Sequence, residues 1–350
     1  MSVDLSKLVQ KRKITLDDLR GRTIAIDAYN VLYQFLSIIR QPDGTPLMDS
    51  KGNVTSHLSG LFYRSIEMLD HGVVPIYVFD GIPSMLKQKT IQARMQRREK
   101  AYEDWQTAVK EGREEEARTY AQQATRVTKA IVADSKQLLE GMGISYINAP
   151  SEGEAQASYL CKENMVYAVG SQDYDTLLLG AERIVRNMAI TGKRKLPRKN
   201  IYVSIETELA SLSDTLAFNG IDRKQLIWIG MMLGTDFNIG VKGVGPKTAL
   251  KIAKSSKTLE DVTSYLEEKY QFAFEVNPRE LEDMFLKPEV KEFSRDEIDR
   301  MKEIVPNKDR IINFMCGEHE FSEDRISKYV DKMISVTSAA RQSGIGKWMK

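Results

Sequence analysis

Short apolar runs that each end in an aspartate recur along the chain. They are TIAID, VVPIYVFD and VYAVGSQD, which end at Asp27, Asp80 and Asp173. Runs of this kind are typical of parallel strands that are buried on both faces. Between them, apolar residues repeat at helical spacing over 28–39 and 58–69. This alternation predicts an α/β fold with a mostly parallel central sheet flanked by helices.

Other segments depart from this rhythm. Residues 84–132 are polar and lack a strand pattern, which predicts two helices that meet near Gly112, as either a solvated helical excursion or a mobile arch over a site. Residues 186–202 predict a hairpin with a basic tip, and the chain reads as mostly helical from about 220 to 334. The small and polar residues 335–350 predict a flexible tail.

We therefore expect a single core that spans residues 1–334 and precedes the tail. Its expected consecutive parts are 1–132, which includes the arch, 133–270, and a helical part over 271–334.

Composition narrows the classes of partner. The 350 residues are 42% hydrophobic, which supports a sizeable core, and 51 Lys and Arg nearly balance 49 Asp and Glu. A nucleic-acid site must therefore arise from local separation of charge. Cys161 and Cys316 have no metal-binding or redox spacing, which favours a reducing compartment. No apolar stretch of 18 residues exists, so we expect no membrane partner and a cytoplasmic location.

Acidic residues gather at the predicted strand ends. One aspartate after a strand is more often a helix cap or a turn residue, but ligands of open parallel sheets bind beyond the carboxyl ends of the strands. Asp175 lies two positions after Asp173, so the two side chains would share one side of an extended segment. Ser151 and Glu154 also match a capping box, which explains Glu154 and leaves Glu152 unexplained.

Carboxylates that converge in this way repel one another unless cations compensate them, and hard divalent cations prefer oxygen ligands. Two Mg²⁺ ions can stabilise the attacking and leaving oxygens of a phosphodiester displacement. The pattern predicts a two-metal site, and the candidate ligands are Asp27, Asp80, Glu152, Glu154, Asp173, Asp175 and Asp236.

A glycine-rich stretch, GVKGVGPKTALKIAK, opens a predicted helix at residues 240–254. Pro246 stands where a phosphate-binding P-loop needs lysine, so we reject nucleotide binding. The stretch instead suits a helix–hairpin–helix over about 226–254, whose backbone N–H groups bind a DNA phosphate without reading sequence. An ordinary loop between two helices is the alternative. The candidate DNA-binding residues are Gly243, Gly245 and Lys247.

Cations in the arch recur at helical spacing. Lys87, Arg94 and Arg98 would share one face with Ile91, which is either a DNA-binding face or simply a solvated one. Tyr33 lies on the apolar stripe of its predicted helix, which favours burial, with stacking on a base as the alternative.

Six stretches carry a resemblance to a known family. They are RQPDGTPLMDSKGNVTSHLSGLFYR, YVFDG, APSEGEAQASYL, SQDYDTLLLGA, GVGPKTAL and INFMCGEHEFSEDR. Together, in order over residues 20–334, they resemble the structure-specific 5′ nucleases of the XPG family, and most of all its archaeal flap endonucleases. The resemblance implies a nuclease core with a helical arch and a helix–hairpin–helix. It also implies cleavage of 5′ DNA flaps in replication and repair, together with 5′–3′ exonuclease activity.

The same resemblance assigns roles to residues. It places the family's metal ligands on the acids named above, with two Mg²⁺ that Mn²⁺ can replace, and it implies K⁺ at the helix–hairpin–helix. It places catalytic arch cations on Lys87 and Arg94, a shared metal ligand on Asp173, and DNA contacts on Tyr33 and Arg98. Ile82 departs from the pattern, because many relatives have a basic residue there.

The last stretch, RQSGIGKWMK, resembles the peptide by which such enzymes dock on a sliding clamp. Its key positions are Gln342, Ile345, Trp348 and Met349. We therefore expect two partners, branched DNA with a 5′ flap and the clamp (PCNA), and otherwise a monomer associated with the nucleoid. The alternative is a non-catalytic binder of DNA structures that docks on the clamp, but a pure binder has no reason to keep this many acids beside a polyanion.

Overall fold

The computed structural model of the chain describes residues 3–188, 192–195 and 202–348. The strands in this part are β1 (Lys11–Ile14), β2 (Thr23–Asp27), β3 (Val74–Phe79), β4 (Tyr146–Asn148), β5 (Ala168–Gly170), β6 (Arg183–Arg186), β7 (Gly192–Lys195), β8 (Tyr202–Ile205) and β9 (Thr207–Ser211). The α-helices are α1 (Ala28–Ile38), α2 (Ser56–Asp70), α3 (Gln88–Lys110), α4 (Glu114–Gln123), α5 (Lys129–Met142), α6 (Gly153–Lys162), α7 (Asp175–Leu178), α8 (Leu212–Asn219), α9 (Arg223–Leu233), α10 (Pro246–Ser255), α11 (Leu259–Tyr270), α12 (Pro278–Leu286), α13 (Arg295–Met301), α14 (Lys308–Ile312) and α15 (Glu323–Trp348). Short 3₁₀ turns at Asp17–Leu19 and Met85–Lys87 and a π-helical turn at Asn313–Glu318 complete the set.

The central sheet is mixed. Among the described strands, seven join in the order β1-β9-β6-β5-β2-β3-β4. Strands β5 and β6 run parallel, with Val169 opposite Ile184, whereas β9 is antiparallel to both β6 and β1. The predicted α/β class is confirmed. Strands β7 and β8 form the expected hairpin, whose basic tip at 196–201 lies outside the described residues.

Two of the three predicted aspartate-terminated strands lie where the apolar runs place them, as β2 and β3. The third is shorter, because β5 ends at Gly170 and the chain then turns. Ser171 Oγ accepts a hydrogen bond of 3.2 Å from the backbone N–H of Asp173, and helix α7 begins at Asp175. A serine hydroxyl can thus draw the backbone away from a strand ladder. The expectation that Asp173 and Asp175 share one side of an extended segment was wrong.

The chain forms two compact units that interleave along the sequence. The first unit contains Met1–Ile14, Val78–Ile91 and Asn148–Glu292, and the second contains Thr15–Tyr77, Gln92–Ile147 and Phe293–Lys350. These units are not the consecutive parts that we expected, because strands and helices distant in sequence pack together.

Each unit has its own helical packing. In the first unit the buried face of α9, which includes Ile227 and Met231, packs against α10 and α12. In the second unit α2 packs against α1, α5 and α15. No helix in the described part of the chain is long and apolar enough to cross a membrane.

The predicted arch and tail have different outcomes. Helices α3 and α4 meet at Gly112, whose φ of +69° gives the backbone a left-handed turn, as predicted. Helix α15 continues through Trp348, so the backbone over 335–348 is helical, and the predicted flexibility of this segment stays a prediction. Thr337 is buried on this helix and donates a hydrogen bond of 2.9 Å to the Met333 carbonyl of the same helix. The four clamp-binding side chains predicted beyond residue 341 lie outside the described residues.

Candidate active site

A pocket in the first unit combines acidic and apolar walls within a cavity of about 120 Å³. We call it the acidic pocket. Its charged lining residues are Lys87, Glu152, Glu154, Asp175, Asp236 and Glu289. Its apolar lining residues are Ala155, Leu179, Phe237, Met284, Phe285 and Pro288, with Ser84 and Ser151 completing the wall.

Two glycines bring the acids of separate loops together. The backbone N–H of Gly81 donates to the Ser151 carbonyl at 2.6 Å, and that of Gly153 donates to Asp80 Oδ1 at 2.6 Å. A Cβ atom at Gly81 would lie 2.2 Å from the Ala149 carbonyl oxygen, and one at Gly153 would lie 2.7 Å from Asp80 Oδ1. Only glycine permits this approach, which places Asp80 beside the start of α6.

The start of α6 differs from the predicted capping box. Glu152 holds the cap position, and its side chain makes no capping hydrogen bond. The helix thus begins one residue later than a Ser151 cap requires, and that expectation was wrong. The carboxylate of Glu154 accepts a hydrogen bond of 3.3 Å from Ser171 Oγ. Both glutamates line the acidic pocket.

Burial and mutual repulsion raise the pKa values of two aspartates. Burial is the largest cause of a pKa of about 7 at Asp175, and repulsion from Asp173 and Asp236 adds to it. A hydrogen bond of 3.0 Å from the backbone N–H of Val3 acts in the opposite direction. The pKa of Asp80 rises to about 6 through burial and then through the nearby Glu152. The pocket therefore holds more negative charge than its surroundings can easily stabilise.

Lys87 provides one compensating charge. Its ammonium pairs with the Glu152 carboxylate and lies 3.5 Å from Asp236 Oδ2, and the three side chains are only 14–17% exposed. Burial acts to lower the pKa of Lys87, but the two carboxylates outweigh it and raise the pKa above its usual value. The ammonium also lies 5.7 Å from the centroid of the Phe237 ring, within reach of a cation–π contact.

Repulsion links five of the predicted metal ligands. Glu152 and Asp236 act on Asp80, and Asp173 and Asp236 act on Asp175. Among the described residues, no three His, Cys, Asp or Glu side chains already have a geometry that could hold a metal ion. The seventh acid, Asp27, lies in the second unit and caps α1, where it accepts a hydrogen bond of 3.0 Å from Asn30 N. Its helix-cap interpretation is confirmed, and its metal-binding role stays a prediction.

The arch cations divide between the two units. Lys87 belongs to a 3₁₀ turn of the first unit, whereas Arg94 and Arg98 lie on α3 in the second, where both are half-buried. The Arg98 guanidinium lies 5.9 Å from the Tyr33 ring centroid, and burial lowers its pKa. Tyr33 itself donates a hydrogen bond of 3.4 Å to the Gln122 carbonyl. Tyr33 and Arg98 therefore stabilise the packing of the second unit.

The glycine-rich stretch joins α9 to α10, as the helix–hairpin–helix prediction requires. Gly243 is exposed with a φ of +85°, and Gly245 caps α10 just before Pro246. Val244 is buried beneath this turn, and Lys247 is exposed on the first turn of α10. The turn thus presents a cation beside the start of a helix, where anions bind favourably.

Sequence reasoning missed several groups of the acidic pocket. Gly81 and Gly153 had a usable signal, since each is adjacent in sequence to a candidate acid. The backbone N–H of Val3 had none, because any residue except proline supplies that donor. Thr90 and Phe237 also contact pocket residues without belonging to any motif that we considered.

The chain is similar to known proteins over almost its whole length. The XPG N-terminal domain matches residues 3–101, and the XPG I-region matches residues 143–236. Flap endonuclease 1 of Thermococcus onnurineus is 46% identical over 99% of both chains, and that of Pyrococcus furiosus is 46% identical over 100% of both. The solved structure of flap endonuclease-1 from Methanococcus jannaschii superposes with a TM-score of 0.73 at 38% identity, covering 97% of this chain and 99% of that one.

Proposed function

Since this chain belongs to the flap endonuclease 1 family of XPG nucleases, we propose that it cuts 5′ flaps of branched DNA by metal-dependent phosphodiester hydrolysis. It is a structure-specific flap endonuclease by its family. The metal dependence rests on one observation, the surplus of carboxylates, of which Asp175 is buried, over the one ammonium of Lys87 among the residues that line the acidic pocket.

The donor set fits divalent cations. Its side-chain donors are carboxylate oxygens, the kind of ligand that Mg²⁺ and Mn²⁺ take. The raised pKa values of Asp80 and Asp175 mean that added positive charge would favour their ionised forms. Asp80, Glu152, Glu154 and Asp173 would hold one ion, and Asp173, Asp175 and Asp236 would hold the second. When bound, two such ions stabilise the attacking and leaving oxygens.

Lys87 acts on the phosphate and not as a base. Because its pKa is raised, its ammonium stays protonated near neutral pH and cannot accept a proton from water. It can instead donate hydrogen bonds to the non-bridging oxygens of the phosphate to be cut, where charge develops. Arg94 is the second cation that we assign to this task.

A gel assay tests this function. A labelled double-flap DNA and a blunt duplex of the same sequence are incubated with Mg²⁺, with Mn²⁺ or with EDTA. We expect the flap to be cut with either metal and the blunt duplex to be shortened more slowly from its 5′ end. Cleavage in EDTA would refute the metal dependence. Tight binding of the flap without cleavage in any metal would instead support a non-catalytic binder.

The helix–hairpin–helix is the proposed contact with duplex DNA. Gly243, Gly245 and Lys247 would hold a phosphate, so affinity should fall steeply with added salt and change little with sequence. Gly243→Val should weaken duplex binding, because valine does not adopt a φ of +85° without strain. Lys269→Ala is a control, since Lys269 lies outside this turn, near the end of α11. Equal losses in both variants would reject the phosphate site.

Docking on a sliding clamp is proposed from the residues at 342–349. Ile345→Ala combined with Trp348→Ala should remove stimulation of cleavage by the clamp and leave clamp-free cleavage unchanged. Buried aromatic anchors contribute about 2 kcal/mol or more, so clamp affinity should fall by more than about tenfold. If the variant melts at a lower temperature yet still responds to the clamp, the segment stabilises the fold and the docking site is elsewhere.

A further inference from the structure

Three contacts join the start of the arch, at Lys87 and Thr90, to the loop after α9. All of them lie in the first unit. Thr90 Oγ1 donates a hydrogen bond of 2.7 Å to the backbone carbonyl of Asp236. The Lys87 ammonium lies 3.5 Å from the carboxylate of the same Asp236. It also lies 5.7 Å from the ring centroid of Phe237, the next residue. Only the Lys87 and Asp236 side chains have a role in the proposed chemistry.

The loop that accepts these contacts is held in place. Thr235 Oγ1 accepts a hydrogen bond of 3.0 Å from the Phe237 backbone and lies 2.7 Å from the Asn238 side chain. Asn238 in turn donates to the Met231 carbonyl of α9 at 2.7 Å. The Phe237 ring packs edge-on against buried Phe285, with centroids 5.8 Å apart. The Asp236 carbonyl is therefore a fixed point for Thr90.

Thr90 uses its hydroxyl unlike a threonine in an ordinary helix. Such a hydroxyl commonly bonds to a carbonyl one turn earlier in its own helix. Thr107, on the same helix α3, does this with the Glu103 carbonyl at 3.0 Å. Thr90 lies three residues after Lys87, about one helical turn, so the position of one side chain affects the other. A lysine stem is flexible, and fixing its backbone limits where the ammonium can move.

We propose that Thr90 and Phe237 are positioning residues that fix the Lys87 ammonium beside Asp236 in the acidic pocket. The inference rests on the proposed function and deepens it. Thr90 fixes the backbone from which Lys87 projects, and the Phe237 face favours the ammonium on one side of the pocket. A small displacement of a catalytic group can reduce the rate of the chemical step by up to about 10²-fold.

Single-turnover cleavage of the double-flap DNA tests this with matched variants. Thr90→Val keeps the shape but removes the hydroxyl, and we expect the rate constant to fall by about 5- to 20-fold with unchanged DNA affinity. Thr90→Ser should restore most of the rate. Thr107→Val, on the same helix, should leave the rate unchanged. Phe237→Leu should reproduce the loss of rate, because it removes the ring that lies beside the Lys87 ammonium. This second variant keeps the proposal testable if a Thr90 variant fails to fold.

A double-mutant cycle separates positioning from simple stability. Once Lys87→Ala removes the ammonium, Thr90→Val should have almost no further effect on the rate, since nothing remains to be positioned. Losses that multiply in the double variant overturn the proposal, as do losses confined to melting temperature or affinity. An inactive wild-type protein would refute the proposed function itself. An active wild-type protein whose Thr90 and Lys87 variants lose rate independently of each other refutes only this inference.

Discussion

Burial favours the neutral form of ionisable side chains in both units, but the neighbours of those side chains differ. In the first unit, burial raises the pKa of Asp175 to about 7, and other carboxylates add to the shift. In the second unit, burial lowers the pKa of His57 to about 3, assisted by the nearby His319. His57 is fully buried, and neither ring nitrogen has a hydrogen-bond partner among the described residues. Its nearest carboxylate oxygen lies 3.8 Å away on Asp134.

The difference shows what marks a functional site in this molecule. A buried histidine can become neutral by releasing one proton, and it then needs no counter-ion. The acidic pocket cannot neutralise all its carboxylates near pH 7, so it needs cations, and Lys87 supplies only one. Convergence of like charges, and not burial alone, therefore indicates the proposed metal site.

The largest expected effect comes from removing an acid of the first unit. Asp173→Ala should abolish flap cleavage and retain DNA binding, because the proposed ions lose a shared ligand while phosphate contacts elsewhere persist. Cleavage and binding are measured on the same double-flap DNA. Asp134→Asn is the matched change beside His57 and should leave cleavage intact. Near-native cleavage by the Asp173 variant, or equal loss in both, would break the comparison.

Removing a cation should have the next largest effect. Lys87→Ala and Arg94→Ala should each slow the chemical step by about 10²–10³-fold without loss of duplex binding, as expected for a preorganised charge donor. Lys136 is a control from the second unit, since its ammonium also lies near an aromatic ring, 5.5 Å from that of Tyr146. Lys136→Ala should cleave normally. A loss in the Lys87 variant that more enzyme corrects would indicate a binding role instead.

The sequence predicted the acids of the pocket better than their arrangement. Apolar runs located β2 and β3 because buried strands need continuous apolar residues, and the XPG resemblance added the arch and the helix–hairpin–helix. The sequence pattern placed Asp173 on a strand, but the chain turns before it. The Ser171 hydroxyl accepts a hydrogen bond from the Asp173 backbone N–H at this turn. Asp27 and Asp80 follow strands in the same way, yet one caps its own helix and the other accepts from Gly153. Such partners depend on tertiary packing and leave no periodic signal.

A smaller effect concerns stability without metal. The folded pKa of Asp175, about 7, lies above the usual aspartate value of about 3.9, so its favourable contribution is complete below about pH 4 and is lost as pH rises through 7. In EDTA, Asp175→Asn should therefore gain stability relative to the wild type across that range, on the order of 1 kcal/mol per pH unit. Urea unfolding at several pH values measures it. If the free energy of unfolding of the two proteins changes with pH in parallel, ionisation of Asp175 does not destabilise the fold.

The smallest effect should come from His57 and have the opposite sign. Its folded pKa of about 3 lies below the usual 6.5, so the contribution is present above pH 6.5 and is lost as pH falls towards 3. Between pH 7 and 5 the wild type should lose stability relative to His57→Gln, on the order of 1 kcal/mol per pH unit once below 6.5. Replacing a buried ring also leaves a packing defect, so the pH slope and not the absolute stability is compared. Four other ionisable residues lie near this site and are retained in the variant. They are Asp49, Asp134, Glu318 and His319.

Flap cleavage at pH 7.5 should not change, because His57 is then neutral and is not among the residues to which we assign a role in cleavage. Equal slopes for both proteins would mean that folding does not lower the pKa of His57, so that its ring becomes protonated near pH 6.5 in the folded protein despite its burial.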